Sequence, residues 1–237
     1  MKPFIKSFQK KPSKILLSVL PLFFCATVAG AQSFLDGERV DYDIKKFGVT
    51  LGQAALSFEG KTVIDKQAAL LVVFKAEGMN FLDEEKVYLD PVTMYPMVIV
   101  RDLNIWGKEE KITEIYDQAN GAVIVTKEAK GEVSRMTINK KGPIDNIYAF
   151  LFRYRKSGTF NQKEELSLRL PTADVIVYND RRTKIKAGGR IFNAFYYKSR
   201  PAKYQLWFST TPERLPLRID GTIGIAKTSM VMKDFSP

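Results

Sequence analysis

Chemistry in this chain could come first from its carboxylates, which cluster as Asp83-Glu84-Glu85, Glu109-Glu110 and Glu164-Glu165. Glycoside cleavage uses two carboxyl groups roughly 5 to 9.5 Å apart, one to donate a proton and one to attack or to activate water. Adjacent residues on a strand point to opposite faces, so no doublet supplies that pair by itself, and charges solvated in turns are the default account of all three clusters. Nucleophilic chemistry is narrower still. The chain has no histidine and a single cysteine, Cys25, which falls in the leader described below. Cysteine and Ser-His-Asp catalysis, His or Cys zinc sites, disulfides and haem ligation by histidine are excluded for the processed chain. No cofactor, metal ligand or catalytic residue is assigned.

Two further groups of side chains could bind without reacting. Arg181, Arg182, Lys184 and Lys186 concentrate positive charge in one expected hairpin, a candidate contact for an anionic surface; the plain alternative is a strand edge kept soluble by its charge. The aromatic residues, which include 16 Phe and 10 Tyr, are enough for a large core or for the lining of an apolar cavity. Tyr42, Phe74, Trp106, Tyr148, Phe152, Phe195 and Trp207 are the candidates for that lining, with Tyr148 and Phe152 as its lid.

A frame to hold these groups is written in the hydrophobic periodicity. Val40, Tyr42 and Ile44 alternate with Asp41, Asp43 and Lys45, the pattern of a half-buried strand. Leu56 and Phe58 are out of phase with Val49 and Leu51, so a bulge at Gly52 is expected to repair the register. Ala69 to Ala76 is apolar on both phases and predicts a strand covered on both faces. Asn104 to Asp117 and Ala122 to Lys127 flank Asn120-Gly121, a hairpin signal, and Val133 to Asn139 continues the meander. Farther on, Ala173 to Tyr178 and Thr183 to Ala187 flank Asn179-Asp180-Arg181-Arg182, read as a turn.

One stretch departs from this alternation. Ile144, Ile147, Tyr148 and Leu151 recur at helical steps, Pro143 or Asp145 offers a start, and Arg153, Arg155 and Lys156 complement the helix dipole at the end. The expected fold is therefore mainly β, about a dozen antiparallel strands in a curved sheet or barrel-like architecture with one docked helix at about 144–156.

The start of the chain has the three parts of a secretory signal peptide: Lys2, Lys6, Lys10, Lys11 and Lys14, an apolar run from Ile15 to Val28, then Ala29-Gly30-Ala31. Cleavage is predicted after Ala31, which leaves residues 32–237 as one β-rich domain in the periplasm or outside the cell. Phe24 precedes Cys25 where a lipid-attachment site needs a small residue. The apolar run falls short of the ~20 residues of a membrane span, and no later segment is long enough to cross as a helix. Removing the five leader lysines lowers the net charge from +11 to +6. That moderate balance suits an anionic envelope component and needs none, and nucleic acid is not expected as a partner.

Gly37-Glu38-Arg39-Val40-Asp41-Tyr42, followed by Phe47-Gly48 and Gly52-Gln53-Ala54, resembles the opening of an exported bacterial family, domain of unknown function 3108. Asp145 to Arg153 is similar to that family's Asp-x-x-Ser-x-x-Tyr-x-x-Arg-like segment, with Ala149 near the usual serine. Ala187-Gly188-Gly189-Arg190-Ile191-Phe192-Asn193-Ala194, Leu206-Trp207-Phe208-Ser209 and Arg214-Leu215-Pro216-Leu217-Arg218-Ile219 resemble later motifs. The resemblance implies a β-rich envelope protein and brings no activity, cofactor or site residue with it. Three functions are then open: a non-enzymatic binder of an envelope amphiphile or other envelope component (lipid, glycan or protein), with the aromatic interior as its site; a structural or interaction module with a filled core; and a carboxylate-dependent glycan hydrolase.

Overall fold

The structure, a computed structural model, describes residues 36–223 and 226–237. The expected signal peptide and its cleavage point lie outside these residues. The first meander comprises β1 (Glu38–Lys46), β2 (Val49–Ile64), β3 (Gln67–Gly78), β4 (Phe81–Leu89), β5 (Pro96–Ile105), β6 (Lys108–Asp117), β7 (Ala122–Ala129) and β8 (Glu132–Asn139). After α1 (Ile147–Ser157), a second comprises β9 (Glu165–Leu170), β10 (Ala173–Ala187), β11 (Arg190–Arg200), β12 (Gln205–Ser209), β13 (Pro216–Ile223) and β14 (Ala226–Ser236). Sequential strands pair antiparallel, and β1 pairs with β14, so the two meanders form one fourteen-stranded sheet with β8 and β9 at its edges. Only the β8–α1–β9 connection joins strands that are not neighbours, carrying the chain from one edge of the sheet to the other.

The helix on this connection lies in the concave interior. Tyr148 stacks on Phe74 of β3 at 4.3 Å, and Phe152 packs against Phe58 of β2 at 5.7 Å. From the same helix Tyr154 meets Tyr197 of β11 and Phe208 of β12 edge-on. One helix thus plugs both meanders into a continuous core running from Val40 to Met232, and it is buried on nearly every side, as a helix enclosed by a curled sheet must be. Even Arg155 is enclosed: its guanidinium donates to Glu38 Oε1 at 2.6 Å and to the Glu213 carbonyl.

The mainly β architecture with one docked helix is as the periodicity predicts, and the details differ where a local signal was absent or misleading. The bulge falls at Gly52: Ile44 pairs with Gly52 and Lys45 with Thr50, which leaves Leu51 over. A Cβ on Gly52 would come within 2.2 Å of the Glu77 carbonyl oxygen, so the close approach itself requires glycine. Asn104 to Asp117 is not one strand. It turns at Trp106 and Gly107, both at positive φ (55° and 76°), a two-residue hairpin without the Asn that usually announces it. Conversely, Asn179 to Arg182 is no turn. It is a bulge within the long strand β10, because Asn179 is turned inward to donate to the Phe160 and Asn161 carbonyls and the Tyr197 hydroxyl. The helix starts later than Pro143 or Asp145 predicts: Asn146 caps it, its side chain accepting from the Tyr148 and Ala149 amides. Finally, β3 is fully covered on one face only. Val72, Phe74 and Ala76 are buried, whereas Leu71 and Val73 are half-buried on the outer face, because a single sheet has no second layer there.

Candidate functional site

Beside the start of α1 the inward residues of three adjacent strands stop being apolar. Asp83 and Glu85 of β4 share the inner phase with Val87; Arg101 of β5 pairs opposite Glu85; Glu114 and Tyr116 of β6 complete the row. Arg101 reaches Asp83 through two bonds, Nε to Oδ1 at 2.7 Å and Nη2 to Oδ2 at 2.6 Å, a forked pair. Glu85 Oε1 accepts from Asn146 Nδ2 at 2.6 Å, which ties the helix cap to the sheet. Among the described residues its other oxygen, Oε2, has only Arg101 Nε at 3.8 Å, beyond hydrogen-bond reach. Tyr116 donates to Glu114 Oε2 at 2.5 Å, leaving Oε1 without a donor among the described residues.

Glu85, Arg101, Glu114, Tyr116 and Asn146 border a pocket of about 220 Å³, which is also lined by Tyr148, the β9–β10 turn at Pro171 and Thr172, and Tyr204. The hydroxyls of Tyr148 and Tyr204 make no hydrogen bond with a described residue. Burial pushes the Glu85 carboxyl up to about 7 against the opposing pull of Arg101, with the charges of Asp83 and Glu114 adding to the rise. Burial raises Glu114 as well, against the Tyr116 hydrogen bond. The site holds more carboxylate than cation, and two carboxylate oxygens and two phenol hydroxyls remain open to a ligand.

Of the residues expected to line an apolar cavity, Tyr148 borders this pocket. Tyr42, Phe74, Tyr148, Phe152 and Phe195 are all buried in the one hydrophobic cluster, Phe74 on Tyr148, Phe152 on Phe58 and Phe195 on Phe160. Trp106 and Trp207 do not belong with them. Trp106 is 71% exposed at the β5–β6 hairpin tip, and Trp207 stacks on Tyr196 at 4.6 Å, on the phase opposite to Leu206 and Phe208. The basic set divides similarly. Arg181 lies over the Tyr196 ring and bonds Asp180, while Arg182 lies over Phe195, one phase away. Lys184 and Lys186 are exposed farther along β10 on the phase of Arg182, so strand alternation sets Arg181 on the opposite face from the other three.

Among the carboxylate clusters, Glu84 pairs outward with Lys86, Glu110 with Lys127 and Glu165 with Arg200, and Glu164 accepts from Tyr154. Of these clusters only Glu85 lines the pocket, with Asp83 held behind it on Arg101. Sequence reasoning missed Arg101, Glu114, Tyr116, Asn146 and Tyr204. The usable signal was the spacing of Asp83 and Glu85, two residues apart on a strand and therefore on one face.

Among the described residues no group of three or more side chains could hold a metal ion, and no helix is long and apolar enough to cross a membrane. No family model matches the chain, that of domain of unknown function 3108 included, and no curated protein matches it. Among solved structures the chain is similar to a beta-barrel-like protein of domain of unknown function DUF1849 from Brucella abortus, at 10% identity over 84% of this chain and 95% of that one, with a TM-score of 0.47. It is also similar to a protein of Parabacteroides distasonis described as a "putative lipoprotein", at 10% identity over 84% and 94%, with a TM-score of 0.25. Likenesses this slight add nothing on ligand or chemistry, so the site rests on its own geometry.

Proposed function

We propose that this is an exported, non-enzymatic binding protein of the cell envelope, and that its ligand sits in the polar pocket beside α1 and not in the aromatic interior. The observation that carries this reading is Glu85: a buried carboxylate, fixed through one oxygen by the helix cap, with its other oxygen left without a hydrogen bond at the pocket. An ammonium group would satisfy Glu85 and Glu114 together, and hydroxyl groups would satisfy the tyrosines, so the ligand class is a compact hydroxylated amine of about one sugar unit. The packed core argues against an acyl chain inside it. Glu85 and Glu114 rise from the same sheet face on either side of β5 and do not oppose each other across a cleft, so the arrangement lends no support to glycan hydrolysis.

Calorimetric titration with glucosamine and with glucose is the test. Glucosamine should bind the protein more tightly, and E85Q/E114Q should abolish the difference; no binding of either sugar would sink the proposal. The packed interior also suits the interaction-module reading. Crosslinking of an envelope protein to the edge strand β8, nearly all of whose residues are exposed, together with an empty pocket, would favour that reading instead.

A further inference from the structure

A second pocket, of about 290 Å³, opens where β11 turns into β12 against β13 and β14, and its charge is opposite. Lys198 and Arg200 come from β11, Lys203 from the turn and Lys227 from β14, with Asp220 as the only acid among the described residues of the lining. That acid is already committed. Arg218 holds Asp220 through two bonds, at 2.7 and 2.8 Å. Outside the lining, Lys198 lies 3.1 Å from Asp180, and Arg200 bonds Glu165 while lying over the Tyr178 ring. Lys203 and Lys227 have no carboxylate within ion-pair distance among the described residues.

Convergent like charges repel, and a soluble surface has no need to hold them in place. Here the loop that carries Lys203 is fastened from below. Buried Ser199 accepts from the amides of Lys203 at 3.0 Å and Tyr204 at 2.9 Å and donates to the Pro201 carbonyl. Tyr204 in turn packs where Gly221 has no side chain; a Cβ there would come within 2.6 Å of its ring. The loop carrying Lys203 is thus fixed beside the concavity by a buried polar anchor and a close aromatic contact.

We propose that this pocket binds a phosphate group, carried either by a soluble phosphate ester or by a lipid headgroup. Lys203 and Lys227 supply the uncommitted charge, and Lys198 and Arg200 the flanks. This site shares Tyr204 with the carboxylate pocket but gathers the opposite charge. The test is calorimetry with inorganic phosphate, and sedimentation with vesicles of phosphatidylcholine alone or mixed with phosphatidic acid, all at low salt. Wild-type protein should bind at least one anionic probe, and K203S/K227S should weaken that binding about tenfold or more without moving the denaturation midpoint. K184S/K186S, outside the pocket, should bind as wild type does. Free phosphate binding without vesicle binding identifies a soluble ester, and the reverse identifies a headgroup; either supports the site. Binding of neither probe, or undiminished binding by K203S/K227S, would overturn it.

Discussion

Glu85 is the residue on which the account turns, and its protonation gives a signature in stability. Its carboxyl titrates near 7 in the fold and near 4.5 as the reference value, so the fold favours the neutral form. The stability this contributes is fully present below about pH 4.5 and is lost as pH rises through about 7. E85Q keeps an oxygen for Asn146 and never ionises. It should therefore exceed wild type by on the order of 2–3 kcal/mol near pH 9, with the gap closing as pH falls to about 4.5. Denaturant midpoints across that range are the measurement, and a gap independent of pH would contradict the assignment. In the sequence, the carboxylate cluster around Asp83 was visible, but its partners were not. Arg101, Glu114 and Tyr116 are separated from it in the chain and meet it only through the register of β4, β5 and β6, which no single strand's pattern encodes.

At the scale of elements, α1 joins core and site. Its cap, Asn146, receives the first helical amides on its carbonyl oxygen and gives its amide group to Glu85. N146A should cost about 1–2 kcal/mol, the loss of a cap, and should release Glu85. N146D keeps the cap but sets a second carboxylate beside Glu85, so it should drive the Glu85 carboxyl above 7 and weaken ligand binding at neutral pH. A pH titration of the two variants separates capping from electrostatics; identical profiles would deny the link. The segment from Asp145 to Arg153 also gains a physical account. Buried Asp145 is bridged by Arg153, whose guanidinium lies 4.1 Å over the Tyr95 ring, so the ends of this segment lock the helix start. The helix itself was legible because its period differs from everything around it. The bulge in β10 was not, since Asn179-Asp180 has turn chemistry locally and is overruled by the interior hydrogen bonds of Asn179.

Across the whole molecule, two meanders share one sheet and one plug. Short connections and alternating burial made the meanders readable, whereas the pairing of β1 with β14 joins segments nearly two hundred residues apart and leaves no local trace. Whether the aromatic side chains would line a space or fill it was likewise beyond periodicity, because both arrangements bury the same phase. Tyr148, Phe152 and Tyr154 occupy the concavity, and the remaining space of the site is polar and lies beside the helix start.

The central claim is that this polar pocket receives the ligand. Native against denaturing mass spectrometry, on protein exported by cells and purified without detergent, tests it most directly when wild type and E85Q/E114Q are run side by side. The account predicts a small hydrophilic, amine-bearing molecule on the wild type that is absent from the variant. A long-chain lipid held equally by both proteins would contradict it.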